Sequence, residues 1–330
     1  MSVQRFVELE QLEHLIARLG SRATVEIVDT VKYQGQCFPI HCIVLGNQAP
    51  HVPVLAYFGG VHGLEKIGSE VILSYLHTLI ELLNWDEEFN ARLKHMRWVF
   101  MPIVNPVGVY RGTRSNGNGV DLMRNAPIEG QGNTKLYSGH RLSPRLPWYR
   151  GHERQMEVEA RALCDVVERH VLPAPLSIAL DLHSGFGLHD RLWFPYASRR
   201  TPFPDLAYAH ALKALLRRCY PNHFYKIEPM SQEYVINGDL WDYLYDSFKA
   251  DAGERLFLPL TLEMGSWLWL RKSPLHLFQR HGLFHPLLPH RQQRILRRHF
   301  TLFDFLARAL LHPRQWRDLD EASKLHHQRK

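Results

Sequence analysis

Four short runs, VPVLAYF (52–58), MRWVFMPIV (96–104), LSIALDLH (176–183) and RLFLPLTLE (255–263), are apolar along most of their length, not on alternate residues. A strand that is apolar on both faces needs cover on both, which helices flanking a largely parallel sheet provide. The segments between supply them: IGSEVILSYLHTLIELL (67–83), 153–170 and 206–218 carry apolar residues at helical spacing. Strand, loop and helix therefore alternate. The expected fold is α/β, a single domain with a mixed, mostly parallel sheet flanked by helices.

The ends read differently. Residues 1–50 predict a helix (7–19) and two alternating runs, ATVEIVDTVKY (23–33) and FPIHCIVLG (38–46), paired antiparallel near a sheet edge. RLWFPYA (191–197) reads as another strand, 239–248 as a helix, and PHRQQRILRRHF with TLFDFLARALL as one basic C-terminal helix over 289–313 packed on the domain. No repeat or linker divides the 330 residues, so one domain over 1–330 is expected.

The formal charge of +7 is concentrated late, in the C-terminal helix and the tail KLHHQRK. No recognised nucleic-acid module accompanies it, so a solvated basic face is the better reading and no nucleic-acid partner is expected. The first residues show no signal peptide, and no run is long and uncharged enough to cross a bilayer. A cytoplasmic address without a membrane partner is therefore expected. Cys37, Cys42, Cys164 and Cys219 form no C-x-x-C pair and are expected to be core thiols.

Chemistry-bearing residues gather where the apolar runs end. VPVLAYF is followed by GGVHGLE (59–65), which places His62 and Glu65 beyond a strand end among glycines. Open α/β sheets bind ligands in that region. LSIALDLH delivers His183 to a similar place, followed by Ser184 and two nearby glycines. Two histidines and a glutamate form a catalytic zinc set that leaves one coordination position open. RLFLPLTLE ends on Glu263, with Gly265 close behind. A carboxylate there, outside the ligand set, could take a proton from water at the metal and hand it to a leaving amine. One histidine among 21 carries little weight, but three such strand ends together do. His41 reads as a strand residue, His189 and Asp190 as loop residues, His326 and His327 as solvated tail, and Asp181 as either a support for the metal site or a plain strand residue.

These motifs, over about residues 52–265, resemble the zinc carboxypeptidase family of metallopeptidases. The resemblance implies one Zn2+ held by His62, Glu65 and His183, with Glu263 as the base. Thr113-Arg114-Ser115 is similar to the family segment whose arginine polarises the scissile carbonyl, so Arg114 takes that role. Gly119-Val120-Asp121-Leu122-Met123-Arg124-Asn125 matches the segment whose aspartate orients the first zinc histidine and whose Asn-Arg pair grips a substrate carboxylate. The resemblance therefore assigns Asp121 to the histidine and Arg124 to the carboxylate. Tyr234 resembles the family's substrate-capping tyrosine, and Trp241 falls near the position of the specificity-pocket floor.

Met123 stands where the family has asparagine and offers no amide donor. A lost charge-assisted hydrogen bond costs about 1.5–3 kcal/mol. The expected function is zinc-dependent hydrolysis of an amide bond in a small peptide, carboxypeptidase-like. Two alternatives stand beside it. The glycine-rich histidine loop and Asp-Leu-His also resemble the succinylglutamate desuccinylase and aspartoacylase group, which would make the substrate an N-acyl amino acid with a carboxylate. The third reading is an inactive metallopeptidase-like binding module.

Overall fold

The computed structural model describes residues 5–132, 135–267, 284–286 and 288–318. Its strands are β1 Ala23–Tyr33, β2 Gln36–Gly46, β3 Val54–Gly59, β4 Arg97–Met101, β5 Leu176–Ser184, β6 Arg191–Phe194, β7 Lys226–Pro229 and β8 Leu256–Met264. They form one sheet in the order β1-β2-β4-β3-β5-β8-β6-β7. β4, β3, β5 and β8 run parallel to one another, as do β6 and β7, whereas β1/β2, β2/β4 and β6/β8 are antiparallel. The molecule is a single α/β domain with a mixed sheet, and β3 and β5 at its centre are buried along their whole length.

The helices are α1 Val7–Leu19, α2 Lys66–Trp85, α3 Glu87–Leu93, α4 Pro106–Arg111, α5 Val158–Val166, α6 Leu206–Cys219, α7 Leu240–Ala250, α8 Pro289–Arg298 and α9 Phe300–Leu311. α2 and α9 cover β3 and β5, with α1 and α8 packed against α2, while α5 lies on β1 and β2 and α7 on β8. This two-sided cover is what wholly apolar strands require.

Several expectations are corrected. The C-terminal helix is two helices, broken at His299. His299 is buried and hydrogen-bonded through Nδ1 to the Tyr225 hydroxyl at 2.9 Å. Beyond the break, α9 turns apolar, with Phe303 against Tyr57 at 4.9 Å between ring centres and Arg308 as its one arginine, while α8 carries Arg291, Arg294, Arg297 and Arg298. RLWFPYA remains a strand only to Phe194, and the helix expected over 153–170 begins at Val158 and ends in a wider turn over Val167–Val171. The edge strand β7 is too short to show a period in the sequence. Cys42 and Cys164 are buried, but Cys37 and Cys219 are exposed, so only half of the cysteines are core thiols.

Candidate metal centre

The chain turns sharply after β3 because two backbones meet there. A side chain at Gly63 would overlap the backbone of Gly108 and Val109 in α4, and one at Gly68 in α2 would overlap the Leu182 carbonyl of β5. The loop 60–65 is thus held between α4 and the centre of the sheet. Glu65 occupies the N-cap position of α2, and its own N–H donates to the His62 carbonyl at 3.0 Å. On β5, Asp181 and His183 lie two residues apart and so face the same side of the strand. Glu263 on β8 is the register partner of His183.

His62, Glu65 and His183 meet, with ligand-type atoms all within 4.8 Å of one another and all three side chains buried. The Glu65 carboxylate joins the two imidazoles: Oε1 lies 2.9 Å from His62 Nδ1 and Oε2 3.0 Å from His183 Nδ1. Each ring is fixed from behind, His62 Nε2 at 3.0 Å from Asp121 Oδ1 and His183 Nε2 at 2.7 Å from Asp181 Oδ2. A carboxylate on the far nitrogen sets the tautomer that presents the near one as a metal ligand. The donors fit Zn2+: two imidazole nitrogens and a carboxylate, neutralisable and convergent, with one coordination position unclaimed.

The electrostatics follow from this crowding. Burial alone would raise the Glu65 carboxyl, but His62 and His183 more than reverse it and hold it well below the usual carboxylate range. Burial opposes ionisation of His183, yet Asp181 and Glu65 raise its proton affinity well above that of a free imidazole. Glu263 goes the other way: burial, then the negative charge of Glu65, pushes it up to about 8. The Phe186 N–H donates to Glu263 Oε1 at 3.0 Å, which fixes the carboxyl beside the centre.

Arg114 joins the same cluster, with Nε 2.8 Å from Asp121 Oδ2 and Nη1 3.3 Å from Glu65 Oε1, and its side chain stays about a quarter exposed (26%). Arg124 is buried, and its Nε has no partner among the described residues. Tyr234 packs against Phe186 and Trp193, with ring centres 5.7 and 6.2 Å away. Burial pushes its hydroxyl up to about 12, Arg124 and Arg114 opposing, Glu263 and Glu65 assisting. His62, Glu65, His183, Asp121 and Arg114 are thus in direct contact, Glu263 stands in register with His183, and Arg124 and Tyr234 are near enough to act through charge on Asp121 and Glu263 respectively.

Met123 is buried in the hydrophobic core. Trp241 is buried, edge-on to Phe58, and its indole N–H donates to Asp181 Oδ2 at 2.9 Å. The two-residue spacing of Asp181 and His183 is a signal for their contact, whereas nothing local in the sequence points Trp241 at Asp181. The Ser184 N–H on Glu65 Oε2 at 2.9 Å is likewise set by the fold. Arg150 was not singled out either. It is buried and binds the carbonyls of Arg124, Ala126 and Ile128, holding the segment that carries Arg124. His189 is exposed, Asp190 accepts from the Gly265 N–H at 3.0 Å, and His41 is a buried strand residue. His326 and His327 lie outside the described residues.

A buried set of two histidines and a glutamate at the carboxyl ends of parallel strands defines an α/β protein with a site that could hold a metal ion. The chain belongs to the zinc carboxypeptidase family, whose sequence pattern matches residues 19–267. Among curated relatives, it is 27% identical over 198 residues to carboxypeptidase B of Helicoverpa zea, covering 54% of this chain and 44% of that protein. It is 27% identical over 181 residues to the carboxypeptidase N catalytic chain of Rattus norvegicus, covering 48% and 39%. The chain thus matches less than half the length of these relatives. The fold is shared with carboxypeptidase A from Helicoverpa armigera (TM-score 0.67, 19% identity, 91% of this chain and 71% of that one). It is also shared with bovine thrombin-activatable fibrinolysis inhibitor, solved with tick carboxypeptidase inhibitor (TM-score 0.65, 18% identity, 95% and 97%).

Proposed function

We propose that this protein is a zinc-dependent hydrolase that cleaves an amide bond in a small peptide bearing a free carboxylate. The observation that carries this reading is the convergence of His62, Glu65 and His183 on one point, with the proton-hungry Glu263 in register beside His183. Zinc held there would supply a Lewis acid for the carbonyl and lower the pKa of water.

The chain's own residues divide the remaining work. Asp121 and Asp181 hold the two imidazoles so that both Nδ1 atoms face Glu65. Glu263 accepts the proton of the attacking water and passes it to the leaving amine, a role suited to a carboxylate whose affinity lies near neutral pH. With Oε1 occupied by the Phe186 N–H, Oε2 is left to carry that proton. Arg114, tied to Asp121 and Glu65 yet partly exposed, sets a fixed cation toward the oxyanion that develops on the carbonyl. Arg124 brings an unspent donor to the substrate carboxylate, and Tyr234 closes over the bound peptide.

One observation favours a second reading. Met123 is buried in the core, leaving Arg124 without an amide partner, so an N-acyl amino acid is the alternative substrate. The test is metal analysis of purified protein, paired with hydrolysis of free-carboxylate peptides and of N-acyl amino acids, in wild type and Glu263→Gln. Peptide cleavage that is lost in the variant supports the peptidase, and cleavage of N-acyl amino acids alone supports the deacylase. Stoichiometric metal without either hydrolysis leaves only a binding module.

A further inference from the structure

Away from the metal centre, a cavity of about 1040 Å³ opens between α6, β7 and the loop after β6, and none of the metal-site residues lines it. Its charged lining is one-sided: Arg200, Lys213, Arg217 and Lys226 against Glu228 alone. Glu228 is already committed, to Lys226 at 2.8 Å and Arg191 at 3.3 Å, and Lys226 is paired in turn, with Glu233 also 3.2 Å away. Arg200 and Arg217 make no ion pair or side-chain hydrogen bond among the described residues. Lys213 is half-buried and spends one proton on the Ile227 carbonyl at 2.8 Å, leaving two.

The arrangement is costly unless something answers it. Lys213 and Arg217 stand four residues apart on α6, so the like charges face the same side, a spacing that destabilises a helix. Burial and Arg217 lower the proton affinity of both Lys213 and the neighbouring His223. The walls between the cations include Phe203, Leu206, Tyr225 and Ile227, and low-dielectric walls concentrate the positive field in the cavity.

We propose that this cavity binds a small polyanion carrying two or more phosphate groups. Lys226 is answered by Glu228 and Glu233, so the cations left to a ligand are Arg200 from the loop after β6 and Lys213 and Arg217 from α6. Charges on two separate elements are met by linked anionic groups better than by a single one. Two of these cations are unpaired arginines, whose planar forks match phosphate oxygens in pairs. Free polyphosphate and a nucleoside triphosphate share this chemistry, and the aromatic wall separates them by what lies beyond the phosphates.

The experiment is calorimetric titration of the full chain with inorganic tripolyphosphate, ATP and citrate at fixed low salt. Wild type is expected to bind tripolyphosphate at one site, and the double variant Arg200→Ala, Arg217→Ala to bind at least about tenfold more weakly. Both residues lie on the surface and support no other group, so the variant is expected to fold, which its melting curve checks. A control, Arg294→Ala with Arg297→Ala on α8, removes the same charge elsewhere and is expected to leave binding unchanged. Tighter binding of ATP than of tripolyphosphate assigns a nucleotide, and equal binding assigns the phosphates alone. The proposal is overturned if tripolyphosphate shows no saturable binding, if the α8 control weakens it equally, or if citrate binds as well.

Discussion

The indole of Trp241 donates to the same Asp181 oxygen that holds His183, at 2.9 Å on one side and 2.7 Å on the other. Asp181 is wholly buried, and its second oxygen has no partner among the described residues. Its charge therefore rests on these two bonds. Trp241→Phe keeps the ring against Phe58 and removes only the donor, so Asp181 and the His183 ring behind it lose an anchor. Loss of such a support for a metal ligand typically costs about 10–100-fold in metal affinity or activity. Competition for zinc against a chelator should show a loss at the lower end of that range, and an unchanged affinity would exclude Trp241 from holding the site.

Glu263→Gln keeps the size and the contact with the Phe186 N–H but cannot take a proton. Hydrolysis should fall by about 10²–10⁴-fold while bound zinc stays stoichiometric. The pH dependence has a defined sign. Wild-type kcat/KM should drop as pH falls through the Glu263 titration, which a nearby dication shifts down from about 8. The residual activity of the variant should lack that acid limb.

What the sequence reveals and hides here divides along the reach of local pattern. Wholly apolar runs identify the central strands, and glycines beside His62 mark the turn after β3, because burial and close backbone approach restrict residue type locally. The contact of Asp121 with His62 spans 59 positions and is suggested only by family resemblance. The Trp241 bond to Asp181 leaves no trace in either segment, since an aromatic residue on an amphipathic helix is ordinary packing. The break at His299 is hidden for a related reason: the helical period continues across it, and only the burial of that imidazole beside Tyr225 shows why the chain bends.

Arg124 offers a sharper test of the substrate than the metal does. If its unspent donor grips a substrate carboxylate, Arg124→Gln should raise KM for peptides with a free C-terminus by about tenfold or more, the worth of a charge-assisted hydrogen bond. Amidated versions of the same peptides should be affected little, because they carry no charge for the arginine to meet. Steady-state kinetics on the matched pair checks this. An equal rise for both would show that Arg124 supports the fold of the segment and not the substrate.

Asp239 and Asp242 begin α7 as a buried acidic pair. Asp242 accepts from the backbone N–H groups of Ala197 and Ser198 and is the better placed to keep its charge. Burial, then the charge of Asp242, pushes Asp239 up to about 8. The folded state thus binds a proton that the unfolded chain releases near pH 4. Between about pH 4 and 8 this pair holds a proton that the unfolded chain has released, so its contribution to stability falls as pH rises through that window. Asn at 239 still accepts the Asp242 N–H as a helix cap and has no charge to suppress. Asp239→Asn should therefore flatten the stability curve and raise Tm at pH 8 relative to wild type, with the advantage shrinking toward pH 4. Thermal melts of the chelated protein across this range measure it free of any metal contribution, and a variant with the same slope as wild type would place the shared proton elsewhere.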